Sequence, residues 1–130
     1  MQSDLEIIKD SILKQVDDVR AIYLFGSVAR GTERKESDYD ILIFVRKSPK
    51  NKVRTIANIR IDVEDRIKRR LEPFLMEVED INYPSPILYE VYHNNRLVYG
   101  ENILARASEI VRKIRPHVKD GRVVDYHVEH

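Results

Sequence analysis

The strongest constraint on the fold is a run of five apolar residues, Ile41, Leu42, Ile43, Phe44 and Val45. Side chains along a strand alternate between its faces, so this run leaves no polar face for water. It predicts a buried central strand that opens at Ser37-Asp38 and ends at Val45. A second β-branched and aromatic run, Val19–Phe25, reads as a companion strand. Ile, Leu, Val and Phe make up about a third of the 130 residues, well above the roughly one-fifth below which chains tend to stay disordered. A core is therefore available, and the length fits one domain.

The remaining patterns supply elements to cover that strand. Residues 3–18 read as a helix: Ser3 and Glu6 have capping-box spacing, and Leu5, Ile8, Ile12 and Val16 form one apolar stripe. A longer helix is expected over about 52–71, stopped by Pro73. A third strand follows over 74–81, then a short helix over 87–94 and an extended piece over 96–99. A third helix is expected over about 101–115, stopped by Pro116, then a turn at Asp120-Gly121 and a terminal edge strand over 123–128. The order predicts an α+β fold, an α/β sandwich in which helices pack a small mixed β-sheet. Residues 1–130 read as a single domain, with a core over about 5–100 and a C-terminal helical extension and tail over 101–130.

Charge and composition narrow the function. Lys and Arg number 23 against 22 Asp and Glu, a net charge of +1, which does not mark a nucleic-acid-binding or membrane-surface protein. Direct nucleic-acid binding is not expected. The chain has no cysteine, which excludes a disulfide scaffold, a thiolate metal site and a cysteine nucleophile. There is no apolar run of membrane-spanning length and no apolar signal core near the N-terminus, so a soluble, cytoplasmic protein is expected. The basic residues are uneven: 46–72 holds ten Lys or Arg and four Asp or Glu. Such a run suits an acidic partner, but a solvated helix face is the commoner outcome.

The chemistry is concentrated between Gly26 and Asp40. Gly26 follows a buried strand, where a residue without a Cβ lets backbone approach a ligand. Ser27 offers a hydroxyl and an amide at the start of a helical turn, where unpaired N–H groups suit an anion. Asp38 and Asp40 lie two apart, on one face of the strand and about 7 Å from each other along it. Glu77 and Glu79 on the predicted third strand share the same spacing. Three carboxylates meeting at one spot repel one another unless a cation sits among them, and hard oxygen donors beside phosphate suggest Mg²⁺. Such a set is suited to in-line phosphoryl or nucleotidyl transfer. Two rival motifs fail. Thr32 stands where a Walker A loop needs lysine, and no G-x-G-x-x-G is present.

Gly26-Ser27, a ten-residue spacer and Asp38-x-Asp40 resemble the signature of the DNA polymerase β-type nucleotidyltransferase superfamily. Arg30-Gly31, Ser37 and the closing Arg96-Leu97-Val98-Tyr99-Gly100 resemble its minimal nucleotidyltransferase (MNT) group. The resemblance covers about residues 5–100 and implies a polymerase β-like nucleotidyltransferase fold. It implies that Gly26 and Ser27 hold the terminal phosphates of the nucleotide, and that Asp38 and Asp40 bind two Mg²⁺ ions. The third carboxylate would be Glu77, with Glu79 as the alternative on the same face. Arg30 is placed to contact phosphate, or else to pair with Glu33 or Glu36 on the surface. Tyr83, Tyr89, Tyr92 and Tyr99 are candidates to stack on a base, although helical spacing equally predicts core packing.

The function implied is transfer of a nucleoside monophosphate, AMP from Mg-ATP, to an acceptor hydroxyl. In the resembled group such proteins pair with a HEPN-type helical toxin and act as its antitoxin, by binding and by adding AMP to a tyrosine. A non-catalytic partner-binding antitoxin is one alternative, and the catalytic subunit of a small-molecule or RNA nucleotidyltransferase is another. A homo-oligomer stays open. The short chain is expected to leave the acceptor side of the site to a partner.

Overall fold

The computed structural model describes residues 2–31 and 38–129, apart from the side chains of Ser27 and Arg30. Four strands form the main sheet: β1 (Val19–Phe25), β2 (Tyr39–Val45), β3 (Leu71–Glu77) and β4 (Asn95–Gly100). Their order is β3-β2-β1-β4. β1 runs antiparallel to both β2 and β4, and β2 runs parallel to β3. The sheet is mixed because β2 and β3 are joined by a crossover helix, α3 (Lys52–Ile67), and run parallel, whereas β1 and β2 are antiparallel neighbours.

The apolar run behaves as expected: Ile41, Leu42, Ile43, Phe44 and Val45 are all fully buried. Ile41, Ile43 and Val45 join Ile22 and Leu24 in one core, under α1 (Asp4–Gln15) and α3. Leu42 and Phe44 join Ala21, Tyr23 and Phe25 in a second core on the other face. That core is closed by α4 (Pro86–His93), α5 (Ser108–Arg112) and the single 3₁₀ turns at Val78–Asn82 and Ile103–Ala107. The result is a sandwich with the sheet as its middle layer. None of the described helices is long and apolar enough to cross a membrane.

Local chemistry explains the helix starts. Ser3 Oγ accepts from the Glu6 N–H at 3.3 Å, Asn51 Oδ1 from the Arg54 N–H at 3.0 Å, and Ser85 Oγ from the Leu88 N–H at 3.2 Å. Each satisfies an N–H with no partner inside its helix. Pro86 at the first position of α4 is preset for a helix start. The basic segment resolves largely into a solvated surface, with Arg46 on Asp18, Arg60 on Glu64, Arg66 on Asp62 and Lys68 on Asp65.

Three expectations are corrected. Pro73 does not stop the second long helix. That helix ends at Ile67, where Lys68 turns left-handed (φ 57°) and gives its N–H to the Glu64 carbonyl. Pro73 lies inside β3, which is tolerated because β3 is an edge strand and can spare an N–H. The third strand therefore covers Leu71–Glu77 rather than 74–81, and Glu79 falls in the 3₁₀ turn Val78–Asn82. The C-terminal extension is not one helix over 101–115. It is a 3₁₀ turn, the five-residue α5, and a separate hairpin of β5 (Ile114–Lys119) and β6 (Arg122–Val128). The residue before a proline is pushed to extended backbone, so Pro116 brings Arg115 into β5 rather than a helix. The expected turn is present as Asp120 and Gly121, both with positive φ. β6 pairs with β5 alone, not with the edge of the main sheet.

Candidate active site

The site lies at one end of the sheet, where β1 stops and β2 starts. β1 ends at Phe25, and Gly26, with φ 76°, swings the chain into the short helix α2 (Gly26–Arg30). Phe25 is opposite Asp40 in the ladder. The Asp40 carboxylate consequently lies directly over Gly26: a Cβ built on Gly26 would be 2.2 Å from Asp40 Oδ2 and 3.1 Å from Cγ. Any other residue at position 26 would meet both a left-handed backbone and that carboxylate. The glycine and the second aspartate of the motif thus form one unit in space.

Asp38 sits just before β2, and its two-residue spacing from Asp40 puts both on one face, the face that also carries Leu42 and Phe44. Tyr39, between them, points to the opposite core and is buried. Its hydroxyl donates to Asp4 Oδ2 at 2.9 Å and accepts from Arg69 Nη1 at 2.9 Å. The Arg69 guanidinium also lies over the ring, 4.3 Å from its centroid. Burial first, and then the hydrogen bond to Asp4, raise the Tyr39 phenol above its ordinary pKa.

Glu77, the expected third carboxylate, lies away from Asp40. β3 is parallel to β2, with Asp40 beside Glu72 and Val45 beside Glu77. Glu77 therefore sits at the far end of the strand pair, about 16 Å along from Glu72. It also points to the opposite face, the one it shares with Leu75 and Val45. There Glu77 Oε2 accepts the Ser48 N–H at 2.8 Å, and this bond holds its carboxyl below the ordinary range, helped by Lys52 and Lys47. Glu79, on the 3₁₀ turn, is not on the strand at all. The acid that the fold does bring beside Asp40 is Glu72, whose Oε1 is 3.7 Å from Arg70 Nη2.

A signal for Glu72 was available. In a strand–helix–strand crossover the two strands run the same way, so partners of an acid near the start of one lie near the start of the other. Glu72 is the second residue of β3, as Asp40 is of β2. Among the described residues, no three acidic or histidine side chains are gathered closely enough to hold a metal ion. The donor set nonetheless has the chemistry for Mg²⁺: carboxylate oxygens from Asp38, Asp40 and Glu72 on one face, with a glycine that leaves room for the Asp40 carboxylate. Ser27 is the second residue of α2 and Arg30 its last, both next to this end of the sheet. The spacer residues 32–37, including Ser37, lie outside the described residues. Of the tyrosines considered for base stacking, Tyr83 is exposed on the surface and Tyr99 lies on β4. Tyr89 and Tyr92 line a cavity of about 450 Å³ against Arg112, Ile114 and Arg115, a lining that includes none of the carboxylates above.

The family model described as "Polymerase beta, Nucleotidyltransferase" matches residues 6–104. The chain belongs to this nucleotidyltransferase family. Over 110 residues it is 29% identical to the Methanocaldococcus jannaschii protein named "Putative protein adenylyltransferase MJ1305", covering 77% of this chain and 75% of that one. Among solved structures, a chain of a toxin-antitoxin with AMP-PNP superposes with a TM-score of 0.67 at 15% identity, covering 85% of this chain and 88% of the other. A chain of the tri-AMPylated Shewanella oneidensis HEPN toxin in complex with MNT antitoxin gives 0.61 at 12% identity, covering 84% of each. These superpositions show the fold, which is the polymerase β-like nucleotidyltransferase fold.

Proposed function

We propose that this nucleotidyltransferase moves AMP from Mg-ATP onto a hydroxyl acceptor, a tyrosine of a HEPN-type helical partner, and so serves as an antitoxin. The observation that carries the reading is the packing of the Asp40 carboxylate against Gly26, with Glu72 beside it. Support for a protein acceptor comes from the relative named as a protein adenylyltransferase and from the AMPylated HEPN toxin in the similar complex.

In this reading Gly26 and Ser27 receive the β- and γ-phosphates, and Arg30 contacts a phosphate oxygen with its planar fork. Asp38, Asp40 and Glu72 hold Mg²⁺; Glu72 replaces Glu77 and Glu79 in that role. When bound, Mg²⁺ offsets the charge of the phosphates and makes the acceptor oxygen more nucleophilic. The acceptor oxygen bonds to the α-phosphorus, the bond to pyrophosphate breaks, and the hydroxyl proton leaves to a nearby carboxylate or water. Asp40 is fixed over Gly26, so its geometry is set before the nucleotide arrives.

The test is incubation of the purified protein with Mg²⁺, α-labelled ATP and its HEPN-type partner. Label on a partner tyrosine is expected. Asp38→Ala, Asp40→Ala and Glu72→Gln should each lower transfer by roughly 100-fold or more, the scale on which loss of one charge-stabilising group acts. Glu77→Gln should leave it unchanged. No transfer by the wild type with Mg²⁺ or Mn²⁺ would sink the catalytic reading and leave masking of the partner as the function.

A further inference from the structure

Tyr39 stands between the two motif aspartates, and nothing in the transfer chemistry itself calls on it. Its side chain points away from them, yet it is bound to two separate elements. Its hydroxyl donates to Asp4 in the first turn of α1 and accepts from Arg69 in the segment between α3 and β3. Arg69 also covers the ring face at 4.3 Å. The Tyr39 N–H is held too, by the Arg70 carbonyl at 3.0 Å. Packing alone would ask only for the ring. A phenylalanine would fill the same volume in the core that contains Ile8, Ile41 and Leu71.

We propose that Tyr39 is a positioning residue for Asp38 and Asp40, clamped by Asp4 and Arg69 so that both carboxylates keep one orientation. The physical basis is the alternation of a strand. Rotation of the backbone at Tyr39 swings the residue before it and the residue after it together. Asp38 lies outside the ladder, since β2 begins only at Tyr39, so strand pairing does not by itself resist such rotation there. Two charged groups pulling on one phenolic oxygen from opposite elements supply that resistance. The same contacts tie the site to α1 and to the segment entering β3, which also delivers Glu72. The inference rests on the reading of Asp38 and Asp40 as ligands of Mg²⁺.

The experiment compares wild type, Tyr39→Phe, Arg69→Lys and Asp40→Ala in the full chain. Three readouts are taken: melting temperature, Mn²⁺ affinity by paramagnetic resonance with a non-hydrolysable ATP analogue present, and the Mg²⁺ concentration that half-saturates transfer. Tyr39→Phe keeps the ring, and Arg69→Lys keeps the charge but not the fork. Each is expected to weaken Mn²⁺ binding about tenfold, the scale of losing a group that orients a metal ligand, and to raise the Mg²⁺ requirement in step. Excess Mg²⁺ should restore most of the transfer to these two variants and none to Asp40→Ala. A fall in melting temperature with Mn²⁺ affinity unchanged in both variants would overturn the proposal and leave Tyr39 a core residue. Should Tyr39→Phe fail to fold, Arg69→Lys decides by the same criterion. Absence of Mn²⁺ binding by the wild type would overturn this proposal together with the site reading. Normal binding by wild type and by both variants would overturn this proposal alone.

Discussion

Gly26 shows how one missing atom shapes the site. Its positive φ and the carboxylate where its Cβ would lie act in the same direction. Gly26→Ala should cost about 1 kcal/mol of stability, because alanine strains at positive φ while the Asp40 side chain can swing aside. The same swing takes Asp40 out of place, so transfer should fall far more than stability does. Thermal unfolding and the labelled-ATP assay on the same variant check the split. Gly26, Asp38 and Asp40 were legible in the sequence because each is held by its immediate neighbours along the chain: the end of β1, the start of β2 and a spacing of two. Glu72 could be reached only through the rule for strand–helix–strand crossovers, because which acid lies beside Asp40 depends on which strand pairs with β2 and in which direction.

At the scale of elements, the C-terminal end of β3 is tied to the loop after β2 by the bond from Ser48 N–H to Glu77. That bond lowers the Glu77 pKa from its ordinary 4.5. A carboxylate lowered on folding adds stability that is present above about pH 4.5 and is lost as pH falls through the lowered value. Glu77→Gln should lower the melting temperature slightly at neutral pH and converge with the wild type on the acid side, where the wild type loses the same contribution, as a pH series of unfolding curves will show. The effect is small, since the carboxylate is solvent-facing. Gly100 makes a second element-level test. Its φ is 87°, and a Cβ there would be 2.1 Å from the Arg20 carbonyl oxygen of the paired strand. Gly100→Ala should destabilise by about 2–3 kcal/mol, since backbone rather than a flexible side-chain tip must give way. The elements themselves were mostly legible: β1 has the bounds its residues suggested, and α1, α3 and α4 lie within a few residues of expectation. The misreadings share a cause. Pro73 and Pro116 were read as helix stops, yet each lies inside a strand with an unpaired edge, where a missing N–H costs nothing.

For the whole molecule, the two cores are closed by residues up to Ile114, and no described residue from 115 to 129 is buried. Truncation after Ile114 should therefore keep the four-stranded sheet and cost no more than about 2 kcal/mol, measured by chemical unfolding. Transfer to a free nucleophile should survive that truncation if the hairpin takes no part in the site. The sequence by itself determined the central buried strand, the sandwich of helices on it and the motif of Gly26, Asp38 and Asp40, since these depend on local periodicity and on short spacings. Only the tertiary structure decided which acid lies beside Asp40, the place of Tyr39 in a clamp of Asp4 and Arg69, and the hairpin at the C-terminus. The acid beside Asp40 and the clamp depend on contacts between residues some 30 positions apart, whose meeting is set by strand direction and register; the hairpin pairs nearer residues, but Pro116 gave its first strand the sequence pattern of a helix end.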